Sequence, residues 1–421
     1  MIEGALHFNK SMFIRKMKKE VFKMKKKTVA LLLCLILAIT LLSGCGSGGS
    51  SGEPVDPGES SDATDEYNGL TEEAFNELTA IIAGYSEKPK FEAPGEAFDL
   101  MAALQGKKIL EVPMSSANPF TIGIANCTHS ICDAIGIEHV IWENQGEVNE
   151  WIQGLEMAGS LDANIVNLSG GTNPLQMAAQ IEETIAKNID VVSSHYSCVT
   201  QTVDYVQANC GAPYAEAGAL LGDWACLYGG GDVNCVIVTS DEVPSCEAMV
   251  NAMETEFNKY APNSKRKYVN VPCNEWADKI QTEVTTALQS DPDVDYIIAI
   301  YDSQTDFIIP AVELAGKTGQ VKIIGFNGTP QVIDNVRNGL VEMTIGENLF
   351  ADACAAIDTI GRLEAGLEIP VDTKIPLYIW TSENAEEAGV PAEYSKGYGE
   401  AWQKGYAELW GLDSSALDNV K

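Results

Sequence analysis

The chain has 421 residues and carries 60 Asp and Glu against 27 Lys and Arg, which gives a formal net charge of −33 at pH 7. So large a negative charge argues against a nucleic-acid ligand and against electrostatic binding to anionic lipid. The length leaves enough chain beyond residue 66 to fold into two lobes.

The first 66 residues indicate export followed by a tether. Lys23 and Lys25 to Lys27 precede the apolar run Val29–Leu42, which is shorter than the about 20 residues of a transmembrane helix. We therefore interpret residues 1–44 as a signal peptide, with Met24 as an alternative start. Residues 45–66 are rich in Gly, Ser, Pro and acids and predict a disordered tether.

The end of the apolar run, Leu42-Ser43-Gly44-Cys45, resembles the lipobox of bacterial lipoproteins. In that family the cysteine sulfur receives a diacylglycerol. The resemblance implies a lipid anchor on Cys45 and a position on the extracellular face of the membrane of a Gram-positive type bacterium. The alternative is an uncleaved membrane-spanning anchor.

Nine cysteines follow Cys45 in an odd, scattered set without CxxC spacing. This pattern indicates small buried hydrophobic side chains rather than a disulfide framework or a zinc site. A disulfide between two of these cysteines is the alternative, and no cofactor or metal is expected.

Beyond the tether, residues 67–106 predict a helical N-terminal extension with a helix over residues 71–85. From Lys108 onward, short apolar strands alternate with amphipathic helices. The predicted strands are Lys108–Pro113, His139–Trp142, Asn164–Leu168, Asp190–Ser194, Asn234–Thr239, Lys267–Val271, Tyr296–Ile300, Val321–Phe326, Val341–Ile345 and Pro376–Trp380. The predicted helices are Phe120–Ile135, Val148–Ala158, Leu175–Lys187, Ala215–Tyr228, Cys246–Tyr260, Trp276–Gln289, Thr305–Ala315, Gln331–Asn338 and Ala351–Glu364. This alternation predicts an α/β fold of two doubly wound parallel-sheet lobes.

Ligands of such sheets bind beyond the carboxyl ends of the strands. The loops after the predicted strands are rich in aromatic rings and in amide and carboxylate groups. Rings offer apolar faces to the C–H faces of a sugar, and amides and carboxylates hydrogen-bond its hydroxyls. The loops therefore favour a small polar ligand such as a monosaccharide.

The order of "SSANPF", "SSHYS", "IIGFNGTP" and "VEMTIGE" resembles the type I periplasmic binding proteins for sugars, the ribose-binding-like family. Gly325–Pro330 fits the family pattern G-(F/Y)-(D/N)-G-x-P closely. The resemblance implies lobe 1 at residues 107–209 plus about 348–374, and lobe 2 at residues 210–347 plus about 375–421. It also implies a three-strand hinge, a monomer, and delivery of the ligand to the membrane permease of an ABC transporter.

Carried over position by position, the resemblance implies nine ligand-binding residues: Asn118, Phe120, His195, Tyr196, Glu247, Trp276, Tyr301, Asn327 and Glu347. His195 and Tyr196 take the place of an Asp-Arg pair in ribose-type members, and Glu247 stands where a second arginine is common. Because arginine suits hydroxyls and carboxylates, its absence argues against ribose and against acidic sugars. A neutral sugar is favoured, and a cationic ligand such as an amino sugar stays open.

A non-enzymatic receptor is the leading hypothesis. Beyond residue 66 the chain has no GxSxG, HExxH or GxxxxGK[ST] motif. A Cys198–His195 nucleophile pair is conceivable but disfavoured, because neighbouring side chains at a strand end diverge. A ligand-sensing receptor for a sensor kinase is the alternative that the sequence leaves open.

Overall fold

The structure of the protein is a computed structural model that describes residues 67–399 and 401–420. The predicted signal peptide, the lipidation site Cys45 and the tether all lie outside these residues. None of the helices in the described part of the chain combines the length and apolar character that a membrane crossing requires.

The described chain starts with two helices, α1 (Glu72–Tyr85) and α2 (Leu100–Leu104). Thr71 begins α1 as its N-cap, because its hydroxyl accepts a hydrogen bond from the backbone N–H of Ala74 at 3.1 Å. The segment between the two helices carries the chain from lobe 2 to lobe 1, since α1 packs on α6 (Tyr214–Gly229) and α2 packs on α11 (Leu349–Ala365).

Five parallel strands form the sheet of lobe 1 in the order β2-β1-β3-β4-β5. They are β1 (Lys108–Pro113), β2 (Glu138–Ile141), β3 (Ile165–Ser169), β4 (Asp190–Cys198) and β5 (Ala208–Ala212). The connecting helices are α3 (Pro119–Ile135), α4 (Val148–Met157) and α5 (Ala178–Ile185). Leu110 packs with Trp151 of α4, whereas the adjacent Ile109 packs in the cluster that holds Ile131 of α3. The sheet is therefore covered on both faces, which explains its continuous apolar strands.

Six strands form the sheet of lobe 2 in the order β11-β10-β9-β8-β6-β7. They are β6 (Asn234–Thr239), β7 (Lys265–Asn270), β8 (Tyr296–Ala299), β9 (Lys322–Asn327), β10 (Met343–Glu347) and β11 (Leu377–Thr381). Besides α6, the helices of this lobe are α7 (Pro244–Tyr260), α8 (Trp276–Ser290), α9 (Thr305–Leu314) and α10 (Pro330–Arg337). Only the edge strand β11 runs antiparallel among the described strands.

Between β5 and β11 the chain passes between the lobes three times. It leaves lobe 1 from β5 into α6, returns from β10 into α11, and leaves again from α11 into β11. Helix α11 packs against α3 and α2, so it belongs to lobe 1. The two doubly wound parallel-sheet lobes of the sequence prediction are confirmed.

The C-terminal segment divides between the lobes. Strand β11 joins the sheet of lobe 2, but α12 (Ala401–Leu409) and the residue after it lie on lobe 1. Trp410 Nε1 donates to Asp358 of α11 at 3.0 Å, and the ring of Tyr406 contacts Phe350 of the same helix. The segment from about residue 375 onward is expected in lobe 2, but its described residues contact both lobes.

Predicted and observed elements differ in several places, and helix α12 was not predicted. Strand β5 was not predicted, because "ANCGA" consists mainly of small residues without an apolar run. Strand β4 extends to Cys198 through an irregularity between Ser194 and Cys198. The helix expected over Leu175–Lys187 starts as a 3-10 turn at Pro174–Met177 and is α-helical only from Ala178.

Candidate ligand-binding cleft

A cleft lies where the carboxyl ends of the two sheets face each other. Its inner recess has a volume of about 40 Å³ and its outer chamber a volume of about 720 Å³. Recess and chamber are adjacent, because both are lined by Met114, Asn118, Gly171, Val243, Cys273, Trp276 and Ser303. Each lobe supplies one wall, as expected for ligands that bind beyond strand ends.

Six of the nine predicted ligand residues line the recess: Asn118, Phe120, His195, Trp276, Tyr301 and Asn327. They come from loops and strand ends of both lobes. The other three, Tyr196, Glu247 and Glu347, are not among the residues that line the recess or the chamber.

Asn118 is held in place as the N-cap of α3. Its Oδ1 accepts hydrogen bonds from the backbone N–H groups of Phe120 at 2.9 Å and Thr121 at 3.3 Å. Among the described residues, its Nδ2 amide has no hydrogen-bond partner. Asn118 therefore uses its acceptor for the helix and keeps its two donors for a ligand.

Aromatic rings form much of both walls. On the lobe 2 side, the Trp276 and Tyr301 rings lie 6.3 Å apart with an interplanar angle of 28°. Trp276 Nε1 donates to Ser240 Oγ at 2.9 Å and to the Val271 carbonyl at 3.1 Å, which fixes the indole in the wall. On the lobe 1 side, Phe120 lies 5.2 Å from the His195 ring. Such walls suit the apolar faces of a sugar ring.

A buried hydrogen-bond network lies at the bottom of the recess and joins the lobes. His195, on β4 of lobe 1, contacts Glu347, the last residue of β10 in lobe 2, with 2.8 Å between Nε2 and Oε2. Glu347 Oε1 accepts a hydrogen bond from Asn327 Nδ2 at 2.8 Å. The Tyr214 hydroxyl lies 2.6 Å from His195 Nδ1 and donates to the His195 carbonyl at 3.0 Å.

The network holds His195 in its charged form. Burial alone would lower the pKa of the imidazole, but the adjacent Glu347 carboxylate raises it to about 9. The imidazolium then donates from Nε2 to Glu347 and from Nδ1 to the Tyr214 oxygen. Both N–H groups are thereby used inside the protein.

Asp352 is a third ionisable group at this position. It is buried in the first turn of α11, and neither carboxyl oxygen has a hydrogen-bond partner among the described residues. Burial, followed by the negative charge of Glu347, raises the pKa of Asp352 well above its ordinary value. Ligand atoms of His195, Glu347 and Asp352 lie within 4.8 Å of one another. A metal ion here would have to displace the His195–Glu347 hydrogen bond, so the geometry favours a bound proton.

Two recess residues have a backbone conformation that is rare for their residue type. His195 has φ +54° and Asn327 has φ +130°. Such conformations cost about 1–3 kcal/mol each and persist where surrounding contacts hold them. The bonds of both side chains to Glu347 provide that support.

The remaining predicted residues have other positions. The Tyr196 hydroxyl donates to Asn173 Oδ1 at 3.0 Å, and Asn173 lines the chamber. Glu347 lies beneath the recess, where it binds His195 and Asn327. Glu247 is exposed on the first turn of α7, whereas Ser245, two residues earlier, lines the recess.

Acidic side chains lie at the outer chamber. Glu147, Glu242 and Asp306 line it, and none of the described residues that line the recess or chamber is Lys or Arg. Burial raises the pKa of Asp306. The cleft therefore offers no cationic side chain except the internally bonded His195, and it suits neutral or positively charged molecules.

Sequence reasoning missed several residues that line the recess: Met114, Thr121, Gly170, Gly171, Tyr214, Val243, Ser245, Cys273 and Ser303. Gly170 and Gly171 could have been found from the sequence, because a Gly-Gly pair just after a predicted strand indicates a tight turn. In the structure both have positive φ, +67° and +104°. A Cβ on Gly170 would lie 3.0 Å from Thr121 Cβ, so the wall is tightly packed there. Tyr214 was missed because it follows β5, the strand that was not predicted.

Comparison with known proteins gives a family match over part of the chain and a shared fold. Residues 172–368 match the family model described as a periplasmic binding protein domain. No curated protein sequence matches the chain.

Several solved structures are similar to this one at low sequence identity. A glucose-galactose binding protein from Geobacillus stearothermophilus is 18% identical with a TM-score of 0.58, over 66% of this chain and 99% of that chain. An ABC transporter solute binding protein from Agrobacterium vitis with bound allitol is 17% identical with a TM-score of 0.59, over 68% and 98%. A Caulobacter myo-inositol binding protein bound to myo-inositol is 18% identical with a TM-score of 0.59, over 68% and 96%. These identities are low, so the likeness shows a shared fold.

Proposed function

We propose that this protein is the solute-binding component of an ABC transporter. The match of residues 172–368 to a periplasmic binding protein domain and the type I fold support this proposal. It captures a monosaccharide or a related small polar molecule between its two lobes and delivers it to a membrane permease. The protein acts as a monomeric receptor and catalyses no reaction.

The observation that carries this proposal is the composition of the recess. Aromatic rings come from both lobes, and the Asn118 amide keeps its donors for a ligand. Rings against C–H faces and amides against hydroxyls are the contacts that a sugar requires. The solved structures with bound allitol and myo-inositol have the same fold, which supports a polyol-like ligand.

The proposed location is supported by the sequence of the first 66 residues. A signal peptide and the lipobox cysteine Cys45 support export and anchoring to the extracellular face of the membrane. In this proposal, residues 45–66 connect the anchor to the lobes. We infer a Gram-positive type cell, in which a lipid anchor keeps the receptor near its permease.

Asn118→Asp tests the recess with little effect on the fold. A carboxylate oxygen still caps α3, but the two amide donors are lost and a negative charge is gained. The assay is thermal denaturation of the purified protein with monosaccharides, alditols, inositols, amino sugars and nucleosides. A ligand at 100 times its dissociation constant adds about 2.7 kcal/mol of stability, and we expect Asn118→Asp to lose most of this gain for a neutral sugar.

Asn164→Asp is the matched control. Asn164 is exposed in lobe 1 and accepts a hydrogen bond from the Lys108 N–H at 2.9 Å, an acceptor role that Asp retains. The same change of charge outside the cleft should leave the ligand response intact. Equal ligand responses in the two variants would show that Asn118 is not a ligand residue, and a panel without any stabilising sugar would contradict the proposed function.

A further inference from the structure

Two histidines meet at the outer edge of lobe 1, at a position that lines neither the recess nor the chamber. His129 is exposed on α3, and His139 lies on β2, the edge strand of the sheet. Their Nδ1 atoms are 3.2 Å apart, and the rings are tilted by 55°. Two imidazole nitrogens therefore point at the same small volume.

A buried carboxylate fixes the orientation of His139. His139 Nε2 lies 2.8 Å from Glu111 Oε2, and the other Glu111 oxygen accepts a hydrogen bond from Ser169 Oγ at 2.7 Å. The side chains of His139 and Glu111 are 1% and 0% exposed. Because the carboxylate accepts the Nε2 proton of His139, a neutral His139 ring presents the lone pair of Nδ1 to His129.

We propose that His129 and His139 form a binding site for a divalent transition metal ion such as Ni²⁺, Cu²⁺ or Zn²⁺. The ion binds both Nδ1 atoms, and water completes its coordination. For Zn²⁺, metal–nitrogen bonds of about 2.0–2.1 Å in a tetrahedral arrangement place the two nitrogens about 3.3 Å apart. The observed spacing of 3.2 Å already matches this value.

The surroundings of the histidines favour this class of ion. Imidazole nitrogens suit Zn²⁺, Cu²⁺ and Ni²⁺, whereas Mg²⁺ and Ca²⁺ prefer oxygen ligands. Glu111 is placed as the carboxylate that commonly accepts the second N–H of a metal-binding histidine, where it fixes the tautomer and raises the basicity of the ring. The exposed His129 ring can turn its Nε2–H to solvent when Nδ1 binds the ion.

Without a metal, the contact needs one proton between the two Nδ1 atoms, because one nitrogen must donate to the other. The ion takes the place of this proton.

The test is isothermal titration calorimetry of the protein, purified without a histidine tag, with Ni²⁺ and with Zn²⁺. We expect one ion per chain and no binding at this site in His129→Gln. Because His129 is exposed, this substitution removes a ligand without opening the core. Glu111→Gln should weaken binding about 10- to 100-fold through the position and basicity of His139.

Glu138→Gln is the matched control, since it removes a negative charge next to His139 but no nitrogen ligand. We expect it to bind the ion as the unsubstituted protein does. The inference is overturned if the unsubstituted protein takes up no ion, if His129→Gln binds with unchanged affinity, or if Glu138→Gln loses binding to the same extent as His129→Gln. No sugar takes part in the assay, so its result is independent of the proposed transport function.

Discussion

The ion pair between His195 and Glu347 makes the stability of the protein depend on pH in a specific way. Glu347→Gln keeps the shape of the side chain and removes its charge. The imidazole of His195 then stays buried without the carboxylate that keeps it charged. We expect the variant to be less stable than the unsubstituted protein, and we expect the difference to be largest at neutral and mildly acidic pH.

The magnitude follows from the pKa of His195. The gap between the ordinary value of 6.5 and the folded-state value of about 9 corresponds to about 3 kcal/mol. Because the folded-state pKa is raised, this stabilisation is fully present below pH 6.5 and is lost as the pH rises through about 9. The imidazole side chain is 6% exposed and the carboxylate 0%, so solvent screens the pair little.

Urea unfolding curves at several values between pH 6 and pH 10 measure the effect. Glu347→Gln should lose about 3 kcal/mol at pH 6 and much less at pH 10. Glu368→Gln, an exposed change of the same type near the end of α11, is the control and should show no such trend. A loss that is the same at every pH would refute an imidazolium at this position.

Two further predictions concern buried side chains around the cleft. Trp276→Ala should lower the stability of the ligand-free protein by about 3–5 kcal/mol in a thermal or urea unfolding experiment. The reason is that Trp276 is 7% exposed and its indole N–H makes two hydrogen bonds. Unchanged unfolding would mean that Trp276 contributes only to ligand binding. Asp352→Asn should flatten the fall in stability between pH 5 and pH 8, because the raised pKa of this carboxyl makes folding less favourable as the pH rises above its ordinary value of 3.8. The same unfolding series measures this slope, and an identical slope in both proteins would contradict a protonated Asp352.

The fold could be predicted because its strands are short continuous apolar runs. Strand β6 was predicted with its observed bounds, Asn234–Thr239, because both faces of its sheet are covered and all six residues are buried. Strand β5 could not be predicted in this way. Its small residues lie beside β4, and only the position of β4 in the sheet makes them a strand.

The recess could be predicted in part, because the residues that follow parallel strands lie together at one edge of the sheet. Asn118 and Trp276 were found by this rule, and both line the recess. Glu247 shows where the rule stops: it lies inside a helix, where each residue turns by about 100°, and Ser245 takes the cleft-facing position. The bond between His195 and Glu347 joins residues 152 positions apart, and no local pattern indicates it.

The buried hydrogen-bond network around His195 also changes what the absence of arginine from the cleft implies about the ligand. His195 and Tyr196 are expected to take the place of an Asp-Arg pair of ribose-type proteins, and an imidazolium at His195 alone would suggest an anionic ligand. Both of its N–H groups, however, are used by Glu347 and Tyr214, and the carboxylate at 2.8 Å offsets its charge. A carboxylate or phosphate on the ligand would therefore find no available cationic donor in the recess and would pass Glu147 and Glu242 in the chamber. We therefore expect discrimination against acidic sugars to arise from how the charge of His195 is used inside the protein as much as from the absence of arginine.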